Sequence, residues 1–243
     1  MRIIIASDFH LCFRNNTPEK RQRTERVIQF LDSLRGNTDL LILAGDIFDL
    51  WMEWPKTLIK GYFPILKKLA DLREDGCRIV FIAGNHDFWF GSFFRDFLNI
   101  EVVCDIFRET IDAKKIFVTH GDKQTVNDLR YKIFRTIIRS SIAKFLLSLI
   151  HPEIALNIGG LLSRTSRARS VPTKGQQNRS AGLEQFASTN AKQYDIIVMG
   201  HAHTPVQKIF DDCQYFNTGD WITHNSYIEI IDGRAALLHF GEP

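Results

Sequence analysis

The sequence predicts an α/β domain, a layered sandwich of parallel strands alternating with helices and carrying one helical insertion. Three observations predict it. Short apolar, β-branched runs recur between stretches with helical spacing of apolar residues. Five of these runs end abruptly in polar clusters of Asp, His, Asn and Gly. And the alternation is interrupted once, by a basic segment of different character, before it resumes.

Taken in order, residues 2–7 read as a buried strand, and 19–34 as a helix with apolar positions at Val27, Ile28, Leu31 and Leu34. Residues 40–44 form a second strand, ended by Gly45; 58–72 are helical in period; 78–83 form a third strand, ended by Gly84. Shorter strands follow at 101–103, 106–111 and 115–119. Residues 123–180 differ. Ile133, Phe134, Ile137, Ile138, Ile142, Phe145, Leu146 and Leu149 recur at helical spacing, with Lys132, Arg135 and Arg139 on another face. Pro152 and Gly159-Gly160 break that pattern, a second short helix is expected at 153–162, and 163–180 read as a polar, basic loop. The sheet pattern returns with a helix at 182–193 and strands at 195–199, 206–210, 214–217, 227–231 and 235–240. The expected organisation is a core of residues 1–122 and 181–243 with a helical lid inserted at 123–180.

With 243 residues, 44% of them hydrophobic and 24% charged, the chain can bury a core without staples, and disorder is excluded as its main state. A membrane span is excluded, because the greasiest region, 141–163, is interrupted by Lys144, His151, Pro152 and Glu153. The apolar run before Asp8 is too short for a signal peptide, so a cytoplasmic location is expected. Cysteines 12, 77, 104 and 213 are scattered and expected as free thiols. The net charge of +3 conceals an asymmetry: the 123–180 segment holds eleven Lys or Arg against Asp128 and Glu153, so it is basic while the remainder is acidic.

The polar clusters are Asp8-Phe9-His10, Gly45-Asp46 with Asp49, Gly84-Asn85-His86-Asp87, His120-Gly121-Asp122 and Gly200-His201-Ala202-His203. In open α/β sheets, sites form beyond the carboxyl ends of the strands, so these clusters should meet on one rim. Asp, His and Asn are ligands of Mn²⁺, Fe or Zn²⁺, and the absence of cysteine argues against a structural zinc site. Seven candidates (Asp8, His10, Asp46, Asn85, His120, His201 and His203) exceed the needs of one ion and suit two ions sharing a carboxylate. Asp46 is the natural bridge, with two oxygens to give. Period two in Asp8-x-His10 and His201-x-His203 would turn both side chains of each pair the same way on a strand end.

The series DFH, GDIFD, GNHD, THGD and GHAH resembles the calcineurin-like metallophosphoesterase family, whose pattern is DxH, GDxxD, GNH[DE], H and GHxH in that order. The resemblance implies a four-layer α/β/β/α sandwich and a site with two metals. One would sit on Asp8, His10, Asp46 and His203, the other on Asp46, Asn85, His120 and His201, with a bridging water or hydroxide that attacks phosphorus. It implies catalytic roles for His86, at the phosphate or the leaving oxygen, and for Asp87, holding it. Asn85 and His201 would also touch substrate. Asp49 and Asp122 are expected to orient ligand groups. The oxygen- and nitrogen-rich donor set favours Mn²⁺. The run Asn217-Thr218-Gly219-Asp220 resembles a turn common in the family, and leaves open a plain turn or a part in the site, as does His224.

Within that family the layout, with its lid inserted just after HGD, resembles the UDP-2,3-diacylglucosamine pyrophosphatase group of lipid A biosynthesis, although the best-known branch has Arg where this chain has His86. That resemblance implies hydrolysis to UMP and 2,3-diacylglucosamine 1-phosphate. It sets Asp128, Tyr131 and Arg135, and later Arg164 and Arg167, near a nucleotide-linked glycolipid substrate. The apolar stripe beside basic charge adds an anionic membrane surface as partner, hence peripheral association with the inner membrane. The alternative is a phosphodiesterase or nuclease acting on nucleotides or nucleic acid. The basic block is interleaved with Ile, Leu and Phe rather than stacking aromatics, so nucleic acid is not the expected partner, and no protein partner is evident.

Overall fold

The computed structural model describes residues 1–54, 56–125, 136–138, 140–157 and 174–241. In chain order its elements are β1 (Arg2–Ala6), α1 (Pro18–Ser33), β2 (Leu40–Leu43), α2 (Phe63–Glu74), β3 (Arg78–Ile82), α3 (Phe93–Leu98), β4 (Glu101–Val103), β5 (Ile106–Ile111), β6 (Lys114–Thr119), α4 (Ser141–Ser148), α5 (Lys174–Asn190), β7 (Ile196–Met199), β8 (Pro205–Phe210), β9 (Cys213–Thr218), β10 (Ser226–Ile231) and β11 (Arg234–His239). They form one sheet ordered β11-β10-β1-β2-β3-β4 and another ordered β5-β6-β7-β9-β8.

Alternation within the strands sets the layers. Ile3 and Ile5 of β1, Ile42 of β2 and Val80 of β3 turn toward Val118, Val198 and Phe216 of the second sheet, forming the core between the sheets. The residues between them, Ile4, Leu41, Leu43 and Phe81, face α1 and α2 through Val27, Leu31 and Leu69. On the far side, Phe117, Ile197 and Met199 meet Leu183 and Ala187 of α5. The result is the four-layer α/β/β/α sandwich. Both faces of the central strands are covered, which is why they read as continuous apolar runs.

Helix α1 begins where it should: Thr17 accepts the amide of Lys20, and Pro18 occupies the first turn. The crossovers through α1 and α2 make β1, β2 and β3 parallel. β6, β7 and β9 are parallel too. In the second sheet both edges are antiparallel hairpins, β5–β6 and β8–β9; in the first, the β10–β11 hairpin lies antiparallel to β1, and β4 runs parallel to β3 at the other edge. Arg78 clips the two sheets at one edge by pairing with Glu101 and Glu109.

Two local readings need correction. Helix α3 has no amphipathic stripe to announce it; Phe93 and Phe94 hold it by stacking into a cluster with Trp51 and Phe90. Residues 174–180, read as loop, are the first turns of α5. Its later turns pack on the second sheet, and helix propagation carries the ordering back through a polar stretch that signals nothing by itself. Trp51 and Trp54, which the sequence leaves open as core or contact residues, are core residues of the helical side. All four cysteines are free, and only Cys104 is exposed.

Of the 123–180 segment, the described helical parts are one turn at 136–138, α4, a short helix over 152–157 and the start of α5. Trp89 donates its indole N–H to the Ile138 carbonyl at 3.0 Å, tying the segment to the loop that carries His86. Arg14 holds Asn157 at 3.0 Å, and Ala155 is buried in the core. Ile142, Phe145 and Leu149 are left 72%, 62% and 68% exposed. Among the described residues, no helix is long and apolar enough to cross a membrane.

Candidate metal centre

Parallel pairing puts the carboxyl ends of β1, β2 and β3 side by side, and those of β6, β7 and β9 opposite them. The polar clusters lie just beyond these ends. Beyond β1 and β2 the two connections stay zipped together: the amides of Asp8, His10 and Leu11 donate to the carbonyls of Gly45, Asp46 and Ile47 at 2.9–3.0 Å. The two sheets are stitched at the same place, where His201 N donates to Asp8 Oδ2 at 3.0 Å and Trp221 N donates to Asp8 O at 3.1 Å.

The side chains meet here for a different reason than period two. Asp8, His10, Asp46, His201 and His203 all have positive φ, between 46° and 66°. They belong to tight left-handed turns, not to pleated strand ends. This conformation costs a non-glycine residue about 1–3 kcal/mol and concentrates at functional sites. The glycines leave room for it: at Gly45 (φ +87°) an added Cβ would lie 2.7 Å from His120 Nδ1, and at Gly200 it would lie 2.6 Å from Asp8 Oδ2.

Each carboxylate divides its oxygens. Asp8 Oδ2 is taken by His201 N and the Ser7 hydroxyl, while Oδ1, buried and without a hydrogen bond, faces His203 Nε2 at 3.2 Å and His10 Nε2 at 3.6 Å. Asp46 Oδ1 accepts the amide of His86 at 2.8 Å, so it is Oδ2 alone that faces His10, His120 and His86, at 3.8, 3.6 and 3.9 Å. Backbone engagement of Oδ1 leaves Oδ2 as the oxygen turned to both sides.

The imidazoles are equally oriented. His10 Nδ1 faces Asp49 Oδ1 at 3.4 Å, His203 Nδ1 faces Asp220 Oδ2 at 3.4 Å, and His120 Nδ1 is 3.0 Å from the Ala44 carbonyl. Their Nε2 atoms consequently point inward. Asn85 Oδ1 lies 2.9 Å from His120 Nε2, and the His201 ring packs edge-on to His120 with centroids 5.1 Å apart. All seven expected ligands are thus brought together.

These residues fit a metal. His10 Nε2, His203 Nε2 and Asp8 Oδ1 form a triangle with edges of 3.2–3.6 Å. Ligand atoms bound at about 2.1 Å to one ion lie roughly 3.0–3.4 Å apart. Asp8, Asp46 and His120 make a second compatible group. The charges agree. Burial opposes a proton on His10, yet Asp49 and Asp8 push its pKa up to about 10; Asp8 and Asp220 likewise lift His203 to about 9 against burial. Carboxylates so arranged call for positive charge at the centre. Among the ligand imidazoles His201 is the exception: burial, then His120, hold it well below its usual value, so its ring is neutral.

Asp87 does something other than hold His86. It is fully buried and accepts the amides of Gly84, Asp46, Ile47 and Phe48 at 2.7–3.1 Å, bracing two turns against each other. The His86 ring is steadied by the Asp49 carbonyl, 3.2 Å from Nδ1. Asp49 takes its expected place behind His10. Asp122 is buried and favours charge on His120. Asp220 is the residue left open by the sequence that the structure brings to the site. A strand ending in Gly-Asp, as at Gly45-Asp46, was the available signal. Asp128, Tyr131, Arg135, Arg164 and Arg167 lie outside the described residues.

Two stacked sheets whose facing strand ends gather Asp, His and Asn around a cation-seeking centre define a metal-dependent phosphoester hydrolase. The chain belongs to the calcineurin-like phosphoesterases, whose family model matches residues 1–205. Among individual proteins it is similar to the UDP-2,3-diacylglucosamine hydrolase of Porphyromonas gingivalis (strain ATCC BAA-308 / W83), at 27% identity over 98% of this chain and 96% of that protein. Proteins of the same name from Shewanella baltica (strain OS185) and Vibrio parahaemolyticus serotype O3:K6 are each 24% identical over 95% of this chain, and 93% and 94% of their own. Among solved structures, an archaeal phosphodiesterase matches at 17% identity and a TM-score of 0.49, covering 98% of this chain and 99% of that one.

Proposed function

We propose that the protein hydrolyses the pyrophosphate of UDP-2,3-diacylglucosamine to UMP and 2,3-diacylglucosamine 1-phosphate, using two divalent cations, Mn²⁺ by choice. Asp8, His10, Asp46 and His203 would hold one, and Asp46, Asn85, His120 and His201 the other. When bound, such cations supply neutralisation of the phosphoryl oxygens and activation of water.

The remaining work falls to the chain. Asp49, Asp220 and the Ala44 carbonyl keep three imidazoles aimed inward. His86 Nε2 opens onto the space beside Asp46 Oδ2. Burial lowers the pKa of this ring, but an arriving phosphate favours the charged form, whose Nε2–H then donates to a phosphoryl oxygen. A sugar 1-phosphate is already a good leaving group, so steadying the phosphoryl group is the greater need.

The observation that carries the substrate is the insertion. Ile142, Phe145 and Leu149 expose large apolar side chains, on a segment that Trp89 ties to the loop bearing His86. Acyl chains suit such a face, and the relatives named for a diacylated substrate align with nearly the whole chain, insertion included. The basic charge that the sequence concentrates in residues 123–180 adds an anionic membrane surface as partner, with peripheral association. The test is to incubate the protein with Mn²⁺ and UDP-2,3-diacylglucosamine, with UDP-N-acetylglucosamine and an aryl phosphodiester in parallel. Release of UMP from the lipid substrate, and not from UDP-N-acetylglucosamine, is the expected result. Turnover of the aryl diester with none of the lipid would overturn the substrate and keep the phosphoesterase.

A further inference from the structure

We propose that Asp220 is a positioning residue that makes the Asp8–His10–His203 position the tighter of two unequal cation sites; this rests on the two-cation reading above. The two sides of the centre are braced differently. Behind the first position stand carboxylates, Asp49 on His10 Nδ1 and Asp220 on His203 Nδ1, each at 3.4 Å. On the second side, His120 Nδ1 faces a neutral carbonyl, Ala44 O, at 3.0 Å. A carboxylate on the far ring nitrogen fixes the tautomer and raises the basicity of the ligating one more than a carbonyl does.

Asp220 is built to hold that orientation. It sits one turn beyond β9, parallel to and beside β7, whose own continuation carries His203. It is 5% exposed. Its Oδ1 accepts the amides of Thr223 and His224 at 2.8 and 3.2 Å and faces His224 Nδ1 at 3.2 Å, leaving Oδ2 directed at His203. The backbone thus fixes the carboxylate, and the carboxylate fixes the imidazole.

Asp8 and Asp46 face both positions. What differs is the outer pair, Asp49 and Asp220, each a carboxylate on the far nitrogen of a ligating ring.

Calorimetric titration of the metal-stripped full-length protein with Mn²⁺ tests this. The wild type is expected to show two events of different affinity. Asp220→Asn, close in shape, should weaken the tighter event by about tenfold or more and leave the weaker one unchanged. His224→Ala, which spares the contact with His203 and the backbone donors to Asp220, should weaken it much less. Unchanged affinities in Asp220→Asn, or equal weakening of both events with a lower melting temperature of the metal-free protein, would overturn the proposal, the latter marking Asp220 as a brace of the 219–225 turn. A wild type that binds fewer than two Mn²⁺ would instead overturn the two-cation reading.

Discussion

At the rim the polar side chains are buried, and in the insertion the apolar ones are exposed. Asp8, Asp46 and His120 are 1% exposed or less, whereas Ile142, Phe145 and Leu149 are above 60%. Both are departures from what stability alone selects. Burying a charged group is costly unless partners compensate, and a group of exposed large apolar side chains gains nothing until something covers it. The compensation differs in kind. At the rim it lies within the chain, in backbone amides and facing carboxylates. In the 123–180 segment it would have to come from outside, and under the proposed function the acyl chains of the substrate supply it. The metal centre is thus braced within the chain, whereas the proposed lipid contact waits for its ligand.

The sharpest way to break this contrast is at Asp46. Its Oδ2 faces His10, His86 and His120 together. Asp46→Ala should lose Mn²⁺ and lose more than 100-fold in turnover of any phosphoester, beyond the roughly 10–100-fold that removing an outer partner causes. An aryl phosphodiester assay with metal analysis of the purified variant checks it. Substantial activity in the variant would dissolve the rim as a centre.

A second test uses pH and metal removal. In the metal-free protein the carboxylates hold His10 and His203 protonated up to about 10 and 9, against an ordinary value of 6.5. The folded state then binds more protons than the unfolded one between pH 6.5 and 10. Stability contributed by these two groups is complete below 6.5 and is lost as pH rises through 9 to 10, on the order of 1 kcal/mol per unit while the difference lasts. His86 and His201 shift downward, and so act below this window. Melting curves with a chelator should fall from pH 7 to pH 10. Saturating Mn²⁺ should remove most of the fall, because the cation replaces the protons. A flat profile without metal would mean that these imidazoles are not held by carboxylates.

The two regions also differed in how far the sequence could be read. The rim was legible because each ligand follows a buried apolar run, so parallel pairing had to bring the clusters together. What the pattern could not carry is how backbone and side chain share the work. Asp87 looks like a partner for its neighbour His86, yet four amides claim it. Asp46 seems to offer two oxygens, yet one is engaged by an amide 40 residues away in sequence. Asp220 waits at the end of a sixth strand with the same Gly-Asp signal, and only the order β7-β9 reveals that it reaches His203. In the insertion, periodicity marks an apolar stripe but cannot say whether the core or another molecule covers it. Ala155 went inward and Phe145 outward.

Phe145→Ser would sharpen that last distinction with the smallest disturbance. At 62% exposure the side chain contributes little to folding, and substitutions at such positions change stability by about 0.5 kcal/mol or less. The melting temperature and the turnover of a small aryl phosphodiester should both match the wild type. For the diacylated substrate kcat should hold and KM should rise several-fold, because the lost contact is with bound lipid and not with the reacting phosphate. A matching fall for both substrates would return Phe145 to the scaffold. No change for either would move the lipid contact elsewhere in the insertion and leave this apolar face to a membrane surface, which binding of the variant to anionic vesicles then measures directly.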